Sequence, residues 1–227
     1  MAELNRLVVA ADDMSDRFNA FLDSLPTPTK EDEGRFYHVV TGISRTATKN
    51  YALLREALNT DDQQHLAWAC RNLLELDVFM KCVLISEENL QEFASFRWID
   101  GLEVIEKLIS LEARAQQLNP SSAPSQLAAK KNEFIQKMGT EGIVRTRHLN
   151  TREWAVTAGL VDEFDIINKI CSKLVHPTPW SVLTEDQGSA RFPDAYEVFY
   201  YFGTLYFSDM FMRLKEHIKQ YGVKSAP

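Results

Sequence analysis

The sequence predicts an all-α protein, a single bundle of about seven helices that spans residues 1–227. Apolar residues between positions 3 and 25 alternate by three and four, which is the a/d pattern of an amphipathic helix. Between positions 60 and 85 apolar residues occur on every side of a helical wheel, as expected for a helix at the centre of a bundle. No segment of useful length alternates apolar and polar residues as a half-buried strand does. Helix-on-helix packing is therefore the expected architecture.

The first two helices are predicted from their apolar stripes and from the prolines between them. Pro26 and Pro28 end the first helix, because proline removes a backbone hydrogen bond and clashes with the preceding turn. The second helix is expected from about Arg35 to Leu58. The stripe of the first helix comprises Leu4, Leu7, Ala11, Met14, Phe18, Phe21 and Leu25. Such a stripe packs along one seam.

The third and fourth helices follow directly. Thr60 followed by Gln63 has the form of a capping box and predicts the start of the third helix, which runs to about Ile85. The fourth helix is expected over residues 87–118, with a bend at the Asp-Gly pair of residues 100–101. The sequence NPSSAPS at residues 119–125 then predicts a flexible connection.

The C-terminal half predicts a shorter, mostly polar helix after this connection and three more helices beyond it. Asn150 with Glu153 predicts a capping box for a short helix that includes Trp154. The next helix opens at Asp162 and ends at His176, before a proline, with a buried face of Phe164, Ile167, Ile170, Cys171 and Leu174. The last helix is predicted to be capped by Asp194 with Glu197 and to end at Tyr221, before Gly222.

Charge and composition narrow the classes of function. The 25 Lys and Arg residues against 32 Asp and Glu residues give a net charge of -7, so a nucleic acid could be held only by a local basic site. The three cysteines show no CxxC spacing and are interpreted as buried thiols in a reducing compartment. No Gly-rich phosphate loop, HExxH motif or nucleophile elbow occurs in the sequence. No cofactor and no metal are expected.

The N-terminus and the apolar segments predict a cytoplasmic protein without a membrane span. Charged residues break up the apolar residues of MAELNRLVVAADDM, which therefore lacks the apolar core of a signal peptide. The two most apolar stretches also carry several charges each, including Arg71 and Asp209. Both stretches are interpreted as core helices.

The candidate site starts from two charged residues on the central third helix. Arg71 and Glu75 are four residues apart, so both project from one face of a helix that is otherwise apolar. Charged groups in such a position need partners. The candidate partners are Ser172, Lys173 and His176 of the segment CSKLVH. We expect Arg71 and Glu75 to be largely buried and close to His176.

A loop after His176 extends the candidate site. The segment PTPWSVLTEDQGSARFP is long for a connection within a bundle, and loops of this length often cover a site. Trp180 is the candidate binding residue in it. A nucleotide or another anion held between Trp180, Arg71 and His176 is one ligand that this interpretation leaves open.

Three segments carry a resemblance to a known family. ACRNLLELDVFMKCVL, then EFASFRWIDGLEVIEKL and later EFDIINKICSKLVHPTPW resemble a bacterial family of helical proteins of unknown function, with an Arg-x-x-x-Glu helix and a later helix ending Ser-x-x-x-His. The likeness covers roughly residues 35–215. More distantly, the architecture is similar to HEPN-type helical domains, many of which are metal-independent ribonucleases in toxin and phage-defence systems. The HEPN ribonucleases place Arg and His on one helix, whereas Arg71 and His176 of this chain come from two different helices.

The resemblance implies roles for three residues and leaves the enzyme question open. His176 would move a proton to or from an RNA 2′-hydroxyl, Arg71 would stabilise the developing phosphate charge, and Glu75 would orient Arg71. The alternative is a polar cluster that ties two helices together in a non-catalytic interaction module. The first helix or the aromatic last helix could then bind a partner or a second copy. RNA or a nucleotide, a protein partner and a homodimer are the partners considered.

Overall fold

Every secondary-structure element that the computed structural model describes is an α-helix. The structure describes residues 2–118, 126–143, 149–176 and 193–223. They form α1 (Ala2–Asp23), α2 (Glu31–Asn59), α3 (Gln63–Ile85), α4 (Glu87–Leu118), α5 (Leu127–Thr140), α6 (Thr151–Ala158), α7 (Val161–Val175) and α8 (Pro193–Tyr221). The all-α prediction is confirmed, with eight helices in this part of the chain instead of about seven. The flexible connection predicted at residues 119–125 lies outside the described residues.

The chain forms two compact units. The first comprises residues 1–90 and 149–227, and the second comprises residues 91–148. The first unit thus contains α1 to α3, the first turn of α4, and α6 to α8. The second contains the rest of α4 together with α5. The interpretation of residues 1–227 as one domain stays a prediction.

Helix α3 is the centre of the first unit, as its all-round apolar pattern predicted. It packs against α2, α6, α7 and α8. Neighbouring helices on several sides bury side chains around most of its circumference, and its buried residues are Leu66, Ala67, Ala69, Cys70, Leu73, Leu74, Asp77, Val78, Met80, Cys82 and Val83. Asp77 is the one charged residue among them.

The apolar stripe of α1 is covered by the chain's own helices. Every residue of the stripe is buried or half-buried, and α1 packs against α2 and α8. The ring of Phe18 stacks on Phe211 at 4.8 Å between centroids and lies 5.5 Å from Phe207. The predicted packing along the stripe is confirmed. The stripe is therefore used for packing within the chain, and a dimer through α1 stays a prediction.

Some helix ends lie where the sequence predicted them, and others do not. The capping box of α6 is present, with the Asn150 side chain accepting from the Glu153 N–H and the Glu153 side chain accepting from the Asn150 N–H. Gly222, with φ +74, follows the last residue of α8 as predicted. The predicted caps Thr60 and Asp194 are wrong, and α7 begins one residue before its predicted start at Asp162.

Local hydrogen bonds explain the first of these corrections. Asp62 caps α3 by accepting the His65 N–H at 3.0 Å, while the Thr60 hydroxyl donates to the Glu56 carbonyl at the end of α2. Helix α7 begins at Val161, and α8 begins at Pro193, a residue type suited to a first helical position because its missing N–H needs no partner there.

The faces of α7 and α8 are close to those predicted. The buried residues of α7 include Phe164, Ile167, Cys171 and Leu174. Ile170 is 47% exposed, so the prediction that it lies on the buried face is wrong. On α8 most of the aromatic side chains belong to the core, and the buried ones are Phe199, Tyr200, Tyr206, Phe207 and Phe211. The aromatic residues of α8 therefore hold the first unit together.

The second unit has a small core between α4 and α5. Its buried cluster consists of Ile99, Leu102 and Met138. Helix α4 continues through Gly101, where a Cβ atom would lie 2.3 Å from the ring of Phe134. Glycine at this position lets the ring approach the helix backbone. No helix in the described part of the chain has the length and apolar character needed to cross a bilayer.

A buried hydroxyl network joins α1, α2 and α8. The Tyr51 hydroxyl donates to Asp12 Oδ1 at 2.8 Å and lies 3.1 Å from the Tyr200 hydroxyl. Arg55 Nε donates to the other oxygen of Asp12 at 3.3 Å. Burial raises the pKa of Tyr51 well above its usual value, so the hydroxyl keeps its proton. Asp12 is thereby held by two residues of α2.

We expect Tyr51→Phe to lower the free energy of unfolding by about 1–2 kcal/mol, because the fully buried Tyr200 hydroxyl would lose its partner. Urea unfolding followed by circular dichroism measures this change. Tyr201→Phe, at a side chain that is 52% exposed, is the matched control and should have almost no effect. Equal effects of the two substitutions would contradict a role for this network in stability.

Candidate functional site

Arg71 and Glu75 form an ion pair at the edge of α3. Arg71 Nε donates to Glu75 Oε1 at 3.0 Å, as the spacing of four residues allows. The two side chains are 28% and 23% exposed. Both side chains are thus half-buried, which meets the expected burial only in part, since each keeps access to solvent. A charged group in this position costs less to keep ionised than one in the core.

Ser172 connects this pair to α7. Arg71 Nη1 donates to Ser172 Oγ at 3.4 Å, across a separation of 101 residues in the chain. Helix α7 packs against α3. Its buried residues include Cys171, which is next to Ser172 in the chain. A hydrogen bond with Cys171, together with burial, raises the pKa of the Cys70 thiol. Both are free thiols without exposure, as expected for buried cysteines.

His176 and Lys173 lie at the C-terminal end of α7. His176 is the residue that ends the helix, and its N–H donates to the Ser172 carbonyl at 3.2 Å. Both side chains are exposed. The structure therefore brings Arg71, Glu75 and Ser172 together and places His176 one helical turn after Ser172. A direct approach of His176 to Arg71 stays a prediction, and Trp180 lies outside the described residues.

The arrangement around Arg71 suits a bound anion. Two N–H groups of the guanidinium are used by Glu75 and Ser172, and the group carries further N–H donors. Its planar fork matches the oxygens of a phosphate. A guanidinium that is fixed by two partners and still reaches solvent needs little further ordering when an anion binds.

A second polar cluster, around Asp77, was missed by the sequence analysis. Asp77 is 1% exposed, and its Oδ1 atom has no hydrogen-bond partner among the described residues. Arg213 Nε of α8 lies 4.0 Å from that oxygen but donates to Asp209 Oδ2 at 2.8 Å. Burial, then the nearby Asp209 carboxylate, raises the pKa of Asp77 to about 7, against the opposing effect of Arg213 and Lys81.

The Asp77 cluster is separate from the Arg71 pair. Asp77 follows Glu75 by two residues, which is about 200° around the helix. Its burial also keeps its carboxyl group away from bound molecules. The signal in the sequence is an aspartate among the apolar residues Leu73, Leu74 and Val78. We therefore assign the cluster to stability and not to the candidate site.

No group of three or more His, Cys, Asp and Glu side chains is placed to hold a metal ion in the part of the chain that the structure describes. No protein-family model matches the chain, and comparison with curated proteins and with solved structures gave no match. The resemblance to HEPN-type domains therefore stays a prediction.

Asp77 predicts a pH dependence of stability. Because its folded pKa is raised, the folded protein keeps a proton that the unfolded chain releases between about pH 4 and about pH 7. Across this window the Asp77 contribution to the free energy of unfolding should fall by up to about 1.4 kcal/mol per pH unit as the pH rises. Asp77→Asn should remove that fall and give a protein more stable than wild type at pH 8.

Urea unfolding at a series of pH values tests this prediction. Glu216→Gln, at a side chain that is 73% exposed, is the control and should keep the wild-type pH dependence. Asp209→Asn should narrow the window by lowering its upper end, since it removes the negative charge that helps to raise the folded pKa of Asp77. An Asp77→Asn protein with an unchanged pH dependence would show that Asp77 ionises normally in the folded state.

Proposed function

We propose that the protein acts on RNA through a metal-independent, HEPN-like site formed by Arg71, Glu75 and His176. The observation that supports it best is the state of Arg71. Its guanidinium is held by Glu75 and Ser172, keeps further donors and is 28% exposed on a helix whose other faces are apolar. A cation presented in this way is suited to a phosphate oxygen.

In this proposal each residue has one task. Arg71 donates hydrogen bonds to the phosphate that becomes more negative during cleavage. Glu75 holds the guanidinium in position through its Nε atom. His176 accepts the proton of the 2′-hydroxyl as its oxygen attacks the phosphorus, and water protonates the 5′-oxygen that leaves. The products are a 2′,3′-cyclic phosphate and a 5′-hydroxyl.

Two further residues support RNA binding in the same proposal. Lys173 is exposed in the last turn of α7 and adds positive charge beside His176. Local charge of this kind is needed because the whole chain has a net charge of -7. Trp180 would offer an aromatic face on which a base stacks. A toxin or a phage-defence component in the cytoplasm is the setting that the resemblance suggests.

His176→Ala should abolish RNA cleavage and leave the melting temperature nearly unchanged, because an exposed residue at a helix end contributes little to packing. Cleavage is measured with a fluorescent single-stranded RNA in the presence of EDTA, and thermal unfolding is followed by circular dichroism. His38→Ala, at an exposed histidine of α2, is the matched control and should remain active. Wild-type protein that fails to cleave RNA, or an active His176→Ala protein, would refute the proposal.

A non-catalytic interaction module is the second candidate, and one observation favours it. Arg71 is hydrogen-bonded to both Glu75 and Ser172 and so joins α3 to α7, as a structural cluster would. In that case the removal of Arg71 would mainly affect stability.

Arg71→Lys distinguishes the two candidates. Lysine keeps the charge but loses the planar fork of donors. If Arg71 contacts the phosphate, cleavage should fall at least about tenfold with little change in stability. If the cluster is structural, the free energy of unfolding should fall by about 1 kcal/mol, and wild-type protein should have no ribonuclease activity to lose. Both quantities are measured on the same preparations.

A further inference from the structure

Helix α4 carries a second row of apolar side chains, outside the buried cluster that it forms with α5. Val104, Leu108 and Leu111 are 58%, 42% and 58% exposed in the chain. The core residues Ile99, Leu102 and Ile105 of the same helix are buried. Apolar residues on two opposite faces are typical of a helix with neighbours on both sides.

The exposed row has the spacing of a coiled-coil seam. Val104, Leu108, Leu111 and Ala115 follow one another at intervals of four, three and four residues. In heptad terms Val104 and Leu111 occupy d positions, and Leu108 and Ala115 occupy a positions. On its N-terminal side the row is preceded by Gly101, against which the Phe134 ring of α5 packs, and by Arg97, which pairs with Glu141 at 3.4 Å.

The charges beside the row are different on its two sides. Lys107 and Arg114 occupy g positions along the row, and Glu112 occupies an e position; the g position before them, next to Gly101, is the acidic Asp100. Lys107 and Arg114 are exposed and form no ion pair within the described part of the chain. In a parallel pair of helices a g residue meets the e residue five positions further along the other helix, so Lys107 meets Glu112 of the second copy. In an antiparallel pair the basic sides would meet each other.

We infer that α4 pairs with α4 of a second copy of this chain in a parallel, in-register coiled coil along the row Val104, Leu108, Leu111 and Ala115. The charges favour a second copy as the partner. A two-fold axis along the row brings Lys107 of each copy next to Glu112 of the other. Among the described residues the buried cluster of the second unit is small, with Ile99, Leu102 and Met138 and a few partly buried neighbours, and a second copy would cover the apolar row that is exposed on α4.

A similar exposed row on α8 lacks this charge pattern. It consists of Val198, Tyr201, Leu205 and Met212, with Glu197 beside it on one side and Asp209 and Glu216 on the other. Because both sides carry carboxylates, neither a parallel nor an antiparallel pair of α8 helices would be complementary. The row on α4 is therefore the better surface for self-association.

The row on α4 and the proposed RNA site share no residue, so each can fail without the other. Sedimentation equilibrium over about 1 to 500 µM should show a reversible dimer of wild-type protein, since mass action governs the association. Leu108→Glu should yield a monomer with unchanged helix content. Val9→Glu, at a side chain of α1 that is 69% exposed, is the matched control and should still dimerise. A monomeric wild type, or a Leu108→Glu dimer, would overturn the inference.

Two further variants test the orientation. Lys107→Glu should weaken the dimer at least about tenfold, and the double variant Lys107→Glu, Glu112→Lys should restore it. Leu111→Cys should form a disulfide between copies when oxidised with glutathione disulfide, whereas Ser110→Cys, which faces away from the seam, should not. The native thiols are fully buried and do not interfere. A double variant that stays weak, or a Ser110→Cys disulfide that forms as readily, would overturn the parallel arrangement.

Discussion

The burial of α3 is the constraint on which the first unit depends. Four helices pack against it, so a polar side chain on α3 must either find a partner, lose its charge or lie at an edge. Each of these outcomes occurs. Arg71 and Glu75 lie at an edge and pair with each other, whereas Asp77 lies inside and retains a proton at a pH where an exposed aspartate would be ionised. The chemistry available to each residue follows from its position around a single helix.

The two carboxylates of α3 therefore differ in use although they are close in sequence. Glu75 accepts a hydrogen bond from Arg71 at 3.0 Å, keeps contact with solvent and holds the guanidinium in place. Asp77 has Arg213 only at 4.0 Å, because that guanidinium is drawn to Asp209. A group that is ionised and accessible can take part in binding, but one that is buried and poorly paired mainly affects stability.

The parts of the fold that could be predicted are those that leave a periodic or local signal. The stripe of α1, the all-round apolar pattern of α3 and the capping box at Asn150 are such signals, and each was found where expected. Thr60 failed as a cap because Asp62, two residues later, is an equally good acceptor, and the choice depended on where α2 ended. Ile170 failed because the width of the buried face depends on how α7 is rotated on α3, which spacing alone does not define.

The candidate site was predictable in part for the same reason. The spacing of Arg71 and Glu75 on one helix is local, and their ion pair follows from it. The contact with Ser172 crosses 101 residues and was inferred only from the need of a charged residue for partners. The state of Asp77 could not be read from its neighbours in sequence, because it depends on which oxygen Arg213 of a distant helix selects.

The facing thiols of Cys70 and Cys171 have a consequence for how the seam between α3 and α7 can be observed. Both sulfur atoms are inaccessible while the helices are together, and the Cys70 thiol is also held in its unreactive protonated form. A thiol reagent can modify them only in molecules where α7 has separated from α3. The rate of labelling in the native state therefore measures how often this seam opens, since local opening in folded proteins controls access to buried groups. Labelling of these native thiols therefore reports local opening between α3 and α7, the two helices that Arg71 and Ser172 connect.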